Sequence, residues 1–186
     1  MRNTSLLIGT LLGGAMLLQP AVAGAFEVQS PDVDPAQPLP STFVFRGFGC
    51  EGGNQSPALQ WSGVPDGTRS LALTVYDPDA PTGSGWWHWV VVNLPADLRA
   101  LPRGAGSPDG AGLPASAHQV RTDFGAPGYG GPCPPAGDPP HRYVVTVYAL
   151  DAAQLDLPEG ATAALAGFQI HAHAIASARF EFRYGR

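Results

Sequence analysis

Glycine and proline interrupt this chain so often that only short regular elements fit between them. There are 24 glycines and 20 prolines in 186 residues. An interior glycine costs a helix about 1 kcal/mol relative to alanine and a proline about 3, so strands and turns are the natural outcome. Five windows escape the interruption and are rich in β-branched or aromatic residues: Thr42–Phe45, Ser70–Tyr76, Trp86–Asn93, Tyr143–Leu150 and Arg179–Tyr184. Between Leu98 and Pro140 the chain is mostly Gly, Pro, Ala and Asp without helical period. It reads as a long ordered loop, and loops of that length in compact domains usually carry function. Only Glu159–Ser177 has a helical pattern. The expected fold is mainly β, a two-sheet antiparallel β-sandwich with a short C-terminal helical segment.

The first residues are read as a leader rather than as fold. Arg2 precedes the uncharged run LLIGTLLGGAMLL, and Ala21-Val22-Ala23 supplies the small residues of a cleavage site. The run is shorter than the ~20 residues of a membrane span, which argues against an uncleaved anchor. Residues 1–23 are therefore expected to be a signal peptide, with cleavage after Ala23, or after Ala25 as second choice. No cysteine follows the site, so a lipid anchor there is not expected. The remaining 24–186 suit a single domain with its own core, either periplasmic or secreted.

Charge excludes some partners. All ten basic residues are arginine, against fifteen acids, and none of them cluster. Nucleic acid and anionic membrane surfaces are poor electrostatic partners for such a chain. No further apolar stretch reaches spanning length. Two cysteines, Cys50 and Cys133, are present. Export favours a disulfide between them, but small buried thiols fit the same residues.

Chemistry-bearing residues gather at strand ends. In the stretch DPDAPTGSGWWHWVVVNL, Asp77 leaves one strand while His88 opens the next. Strand alternation places His88 on the face of Trp86, Val90 and Val92, and His141 on that of Tyr143, Val145 and Val147. Pro78 and Pro81 hold the Asp77–Asp79 turn in a preset shape. Taken alone, the turn reads as a local Asp hydrogen-bonding device and each histidine as a satisfied core residue.

The motifs DPDAPTGSGWWHWVVVNLP and YGGPCPPAGDPPHRYVVTVYAL resemble those of the phosphatidylethanolamine-binding protein family, in its bacterial Raf-kinase-inhibitor-like branch. GFGCEGGNQSPALQW, RTDFGAPGYGGP and the HAHAIASARFEFRY ending support the resemblance along nearly all of residues 24–186. It implies a two-sheet antiparallel fold with one small anion-binding cavity near the surface. Carried over residue by residue, it implies a site of Asp77, Pro78, Pro81, Trp86, His88, Gly131, Pro135, His141 and Tyr143, with Tyr184 closing over the opening. Phe182 stands where bacterial relatives usually show glycine, which implies a narrower or differently covered mouth. The longer C-terminal helix of eukaryotic members is missing, which removes the basis for kinase regulation.

In such a cavity an Asp77–His88 pair is expected to keep a protonated donor ready for an anion. The implied function is binding of a small anion of the phosphate or phospholipid head-group type, without cofactor or resident metal. The alternative is an inhibitor or regulator of a protease or other enzyme acting through protein contact, and the resemblance also admits a homodimer. An enzyme using Asp77, His88 and His141 as a metal-binding set, or Cys133 as a nucleophile, is disfavoured. No Gly-x-Ser-x-Gly, HExxH or P-loop motif occurs.

Overall fold

A computed structural model describes residues 24–186. The expected signal peptide over residues 1–23 lies outside the described residues. Ten strands follow in chain order: β1 (Glu27–Gln29), β2 (Arg46–Gly47), β3 (Cys50–Glu51), β4 (Leu59–Ser62), β5 (Ser70–Asp77), β6 (Trp86–Pro95), β7 (Ala100–Leu101), β8 (His118–Gln119), β9 (His141–Leu150) and β10 (Ala174–Tyr184). One helix, α1 (Ala163–His173), precedes the last strand. The long strands form a five-stranded antiparallel sheet in the order β10-β9-β5-β6-β8, and a three-stranded sheet runs β1-β4-β7. The expected mainly antiparallel β architecture is what the chain adopts.

Both faces of the five-stranded sheet are covered, which explains why its central strands are almost continuously apolar. Leu71, Leu73 and Val75 of β5, Val145 and Val147 of β9, and Trp89 and Val91 of β6 share one core with Val28, Leu59, Trp61 and Leu101 of the small sheet. On the opposite face, Ala72, Val90, Val92 and Leu150 pack beneath Ala163, Ala166 and Ile170 of α1. Burying one such aliphatic side chain contributes roughly 1.5–3 kcal/mol. Neighbouring residues of one strand therefore feed different cores.

Two elements depart from the expectation. Thr42–Phe45 is not a strand: Ser41–Phe43 form one turn of 3-10 helix, and its backbone serves the neighbouring loops. The helix is shorter than Glu159–Ser177. It starts after Thr162, whose hydroxyl accepts the Leu165 N–H at 3.2 Å, a regular N-cap. It stops at His173 because Ala174–Ser177 pair with β9 opposite Leu150–Tyr148. Alternating Ala-Ile-Ala-Ser fits a strand as well as a helix, and the free edge of β9 decides. The Leu98–Pro140 loop is ordered by successive turns and includes β7 and β8.

Candidate functional site

At the ends of β5, β6 and β9 the sheet opens into a cleft of about 220 Å³, whose walls include Asp77, Pro81, Trp86, His88, Pro135, His141 and Tyr143. Seven of the ten expected site residues therefore come together. A β-bulge makes this convergence. Opposite β5, Val75 pairs with Trp89 but the next residue, Tyr76, pairs with Trp87, so His88 is the extra residue. Bulges bend a strand and re-aim a side chain. His88 consequently leaves the face of Val90 and Val92, where simple alternation places it, and packs edge-on to Tyr143 at 5.1 Å between ring centres.

Asp77 holds the turn and the site at once. One carboxylate oxygen accepts the N–H groups of Asp79 at 2.8 Å and Ala80 at 3.0 Å. The other accepts from His141 Nδ1 at 2.8 Å, both side chains being buried. Asp77 therefore holds its turn and lines the cleft with the same carboxylate. Asp79 turns away to Arg142, which follows His141 and grips it through two guanidinium nitrogens and a backbone N–H. Those contacts lower the Asp79 carboxyl to about 2. The DPDAP turn is thereby fastened to the start of β9.

The expected Asp77–His88 pair does not form. Asp77 is taken by His141, and His88 Nδ1 faces the Gly130 carbonyl at 2.6 Å. Burial disfavours the imidazolium and lowers His88 to about 4, outweighing the Gly130 carbonyl and the more distant Asp77 and Asp123 charges. His88 is therefore neutral at physiological pH. A carbonyl only accepts, so Nδ1 carries the proton and Nε2 is the acceptor.

Tyr143 is wholly buried, and its hydroxyl makes no hydrogen bond within the described residues. Burial first, and then the nearby Asp77 carboxylate, raise its pKa; that carboxylate approaches the hydroxyl without completing a hydrogen bond. The ring is fixed by Phe182, stacked on it at 5.4 Å. Phe182 is thus a buried backing for the cleft and not a cover for its mouth.

The three remaining expected residues do other work. Pro78 lines a separate groove on the outer sheet face with Tyr76 and Trp87. Tyr184 lies along a shallow groove with Cys50 and Arg186, so it does not close the cleft. Gly131 sits behind the wall: its N–H reaches Asn54 Oδ1 at 2.8 Å, and a Cβ there would fall 2.2 Å from the Phe43 carbonyl oxygen. Only glycine permits that approach.

Sequence reasoning missed the aromatic rim. Phe48 and Phe124 line the cleft, with ring centres 6.0 Å apart, and Phe124 lies 5.5 Å from Trp86. Phe48 is 69% exposed and has a φ of 53° between two positive-φ glycines. That backbone region costs a side-chain-bearing residue about 1–2 kcal/mol. The Cys50–Cys133 disulfide holds the strained loop against the Pro134–Pro135 wall. Arg186 adds to this, donating to the carbonyls of Phe48, Gly49 and Pro134. The Gly-Phe-Gly-Cys sequence was the available signal. Cys133, bonded to Cys50, is no nucleophile. No lysine or arginine lines the cleft.

Comparison with known proteins places the chain among relatives of similar sequence and fold. The model of the family described as phosphatidylethanolamine-binding protein matches residues 29–185. YbcL of Escherichia coli is 51% identical over 174 residues, 94% of each chain, and YbhB of the same organism is 55% identical over 149 residues, 80% of this chain and 93% of that one. The crystal structure of YbcL superposes with a TM-score of 0.84 at 52% identity, covering 87% of this chain and 98% of the other. A Mycobacterium tuberculosis protein named as a lipoprotein, LppC, is 42% identical over 132 residues, 71% of this chain and 61% of its own. The chain belongs to the phosphatidylethanolamine-binding protein family.

Proposed function

We propose that this protein is an exported binding module for a small phosphate-type anion, and that it holds its ligand without transforming it. The observation that carries this reading is the Tyr143 hydroxyl, a buried donor on the cleft wall with no hydrogen-bond partner among the described residues. Leaving such a group unpaired costs about 1–3 kcal/mol, a cost that a ligand oxygen removes on binding. The cleft is smaller than the roughly 300–1,000 Å³ of drug-sized sites, which suits a head group and not a whole lipid. Export is supported by the leader-like N-terminus, the disulfide and the lipoprotein-named relative. Among the described residues no helix is long and apolar enough to cross a membrane.

Isothermal titration calorimetry with inorganic phosphate and phenyl phosphate tests the reading. Saturable binding of either at one site per chain, weakened in Tyr143→Phe, is the expected result. The absence of heat from both across the stable pH range overturns it. The exposed Phe48 at the rim favours one alternative, contact with a protein target such as a protease. Phosphate-independent inhibition of a protease panel, lost in Phe48→Ala, would establish that alternative.

A further inference from the structure

The polar groups of the cleft have an unusual sign pattern for an anion site. Nothing cationic is offered by a lysine or arginine side chain. Asp77 contributes a buried carboxylate to the wall, and behind the lining Asp138 lies 3.5 Å from His141 Nε2 and Asp123 adds a more distant negative charge toward His88. Arg142, the nearest guanidinium in sequence, is spent on Asp79. A dianion entering here meets like charge at short range with little solvent to screen it. The bonding pattern adds a second restriction. Tyr143 offers a hydrogen, but His88 Nε2 offers only a lone pair, because Gly130 fixes the proton on Nδ1. A fully ionised phosphate supplies acceptors alone and would leave that lone pair facing another.

Resting on the phosphate-binding reading above, we infer that the cleft selects an oxyacid that retains one ionisable hydroxyl, as the monoanion of a phosphate monoester does, with that hydroxyl donating to His88 Nε2 while another oxygen accepts from Tyr143. The class includes free dihydrogen phosphate, and the monoanions of soluble phosphate monoesters and of lipids ending in a phosphate monoester. It excludes phosphate diesters, whose ionised form carries the same single charge but has no hydroxyl to give. No covalent step is involved, and the proton stays with the ligand. The groups facing His88 are Asp77 at the end of β5, His141 and Tyr143 on β9, and Asp123 and the Gly130 and Gly131 carbonyls in the loop between β8 and β9. With its pKa lowered to about 4, His88 keeps its lone pair throughout the range in which the ligand titrates.

The experiment is calorimetry with phenyl phosphate and dimethyl phosphate at about pH 5.5 and about pH 8. A monoester with a second pKa near 6 is mostly monoanion at the lower pH and roughly 1% monoanion at the higher. If only the monoanion binds, its affinity falls roughly 80-fold between the two. Dimethyl phosphate is expected to bind at least tenfold more weakly at the lower pH and to show no such slope. Since any titrating protein group would move both ligands, the diester separates ligand protonation from changes in Asp77 or His141. Tyr143→Phe, which removes no bond from the folded protein, is expected to weaken phenyl phosphate at both pH values while keeping the slope. For the lipid source, phosphatidylcholine vesicles containing phosphatidic acid should compete with phenyl phosphate, and vesicles containing phosphatidylethanolamine should not. A phenyl phosphate affinity independent of pH, or equal affinity for the diester, overturns the inference and leaves the anion-binding reading intact. Failure of both ligands at both pH values overturns the two together.

Discussion

Two side chains, Tyr143 and Asp77, put the proposed binding cleft to the test atom by atom. Tyr143→Phe deletes a hydroxyl that makes no hydrogen bond among the described residues. Thermal denaturation should find the variant as stable as the parent or up to about 1 kcal/mol more stable, while ligand affinity falls. Asp77→Ala behaves differently. The same carboxylate caps its turn and binds His141, so three hydrogen bonds disappear, the His141 one fully buried. The loss should exceed about 3 kcal/mol in urea titration, because an imidazole N–H and two turn N–H groups are left unpaired. The sequence alone suggests a ligand-binding defect with little loss of fold. The structure instead gives Asp77 a structural role in its turn and against His141. His88 sets a pH limit. Its folded pKa lies below its unfolded value, so its contribution is fully present above about 6.5 and is lost as pH falls toward about 4. The drop should amount to on the order of 3 kcal/mol between those limits. Urea midpoints measured across that range in parent and His88→Phe check this, the variant losing that part of the slope.

At the scale of elements, the cleft is a meeting of strand ends held by cross-links between loops. β5 and β9 present Asp77 and His141, the bulge in β6 turns His88 toward them, and the Cys50–Cys133 bond fastens the Phe48 loop to the facing wall. The two cysteines are 83 residues apart, and the chain-entropy estimate for a loop of that size is about 4–5 kcal/mol. Protein unfolded without reductant should show no thiol to Ellman's reagent, and the Cys50→Ser/Cys133→Ser double variant should lose a large part of that stability. Arg186→Ala should be milder in stability yet weaken ligand binding. Its guanidinium spans carbonyls on both loops, and the strained Phe48 backbone relaxes once the clasp is gone.

At the scale of the whole molecule, the central sheet separates two cores, with the cleft at the edge of one and α1 over the other. Ile170→Ala should therefore cost about 2–4 kcal/mol of stability while leaving phenyl phosphate affinity unchanged, since the cavity it creates lies across the sheet from the cleft. The chain by itself determined much of this arrangement. Frequent glycine and proline allow only short elements, the apolar β5, β6 and β9 windows must be buried, and the Asp-Pro-Asp-Ala-Pro and His-Arg-Tyr motifs place acid and imidazole at strand ends. These are local constraints on dihedrals, period and burial, and local sequence states them directly. Tertiary structure alone decided the rest. Which histidine takes Asp77 depends on a bulge that only pairing with β5 reveals. Where α1 gives way to β10 depends on the open edge of β9. The direction in which Pro78 and Tyr184 point depends on which side of the DPDAP turn and of β10 forms the cleft wall. The charge state of His88 depends on burial by Phe124 and Tyr143, residues far from it in sequence. Each is set by contacts between distant segments, whose free energies exceed the local preferences that the sequence displays.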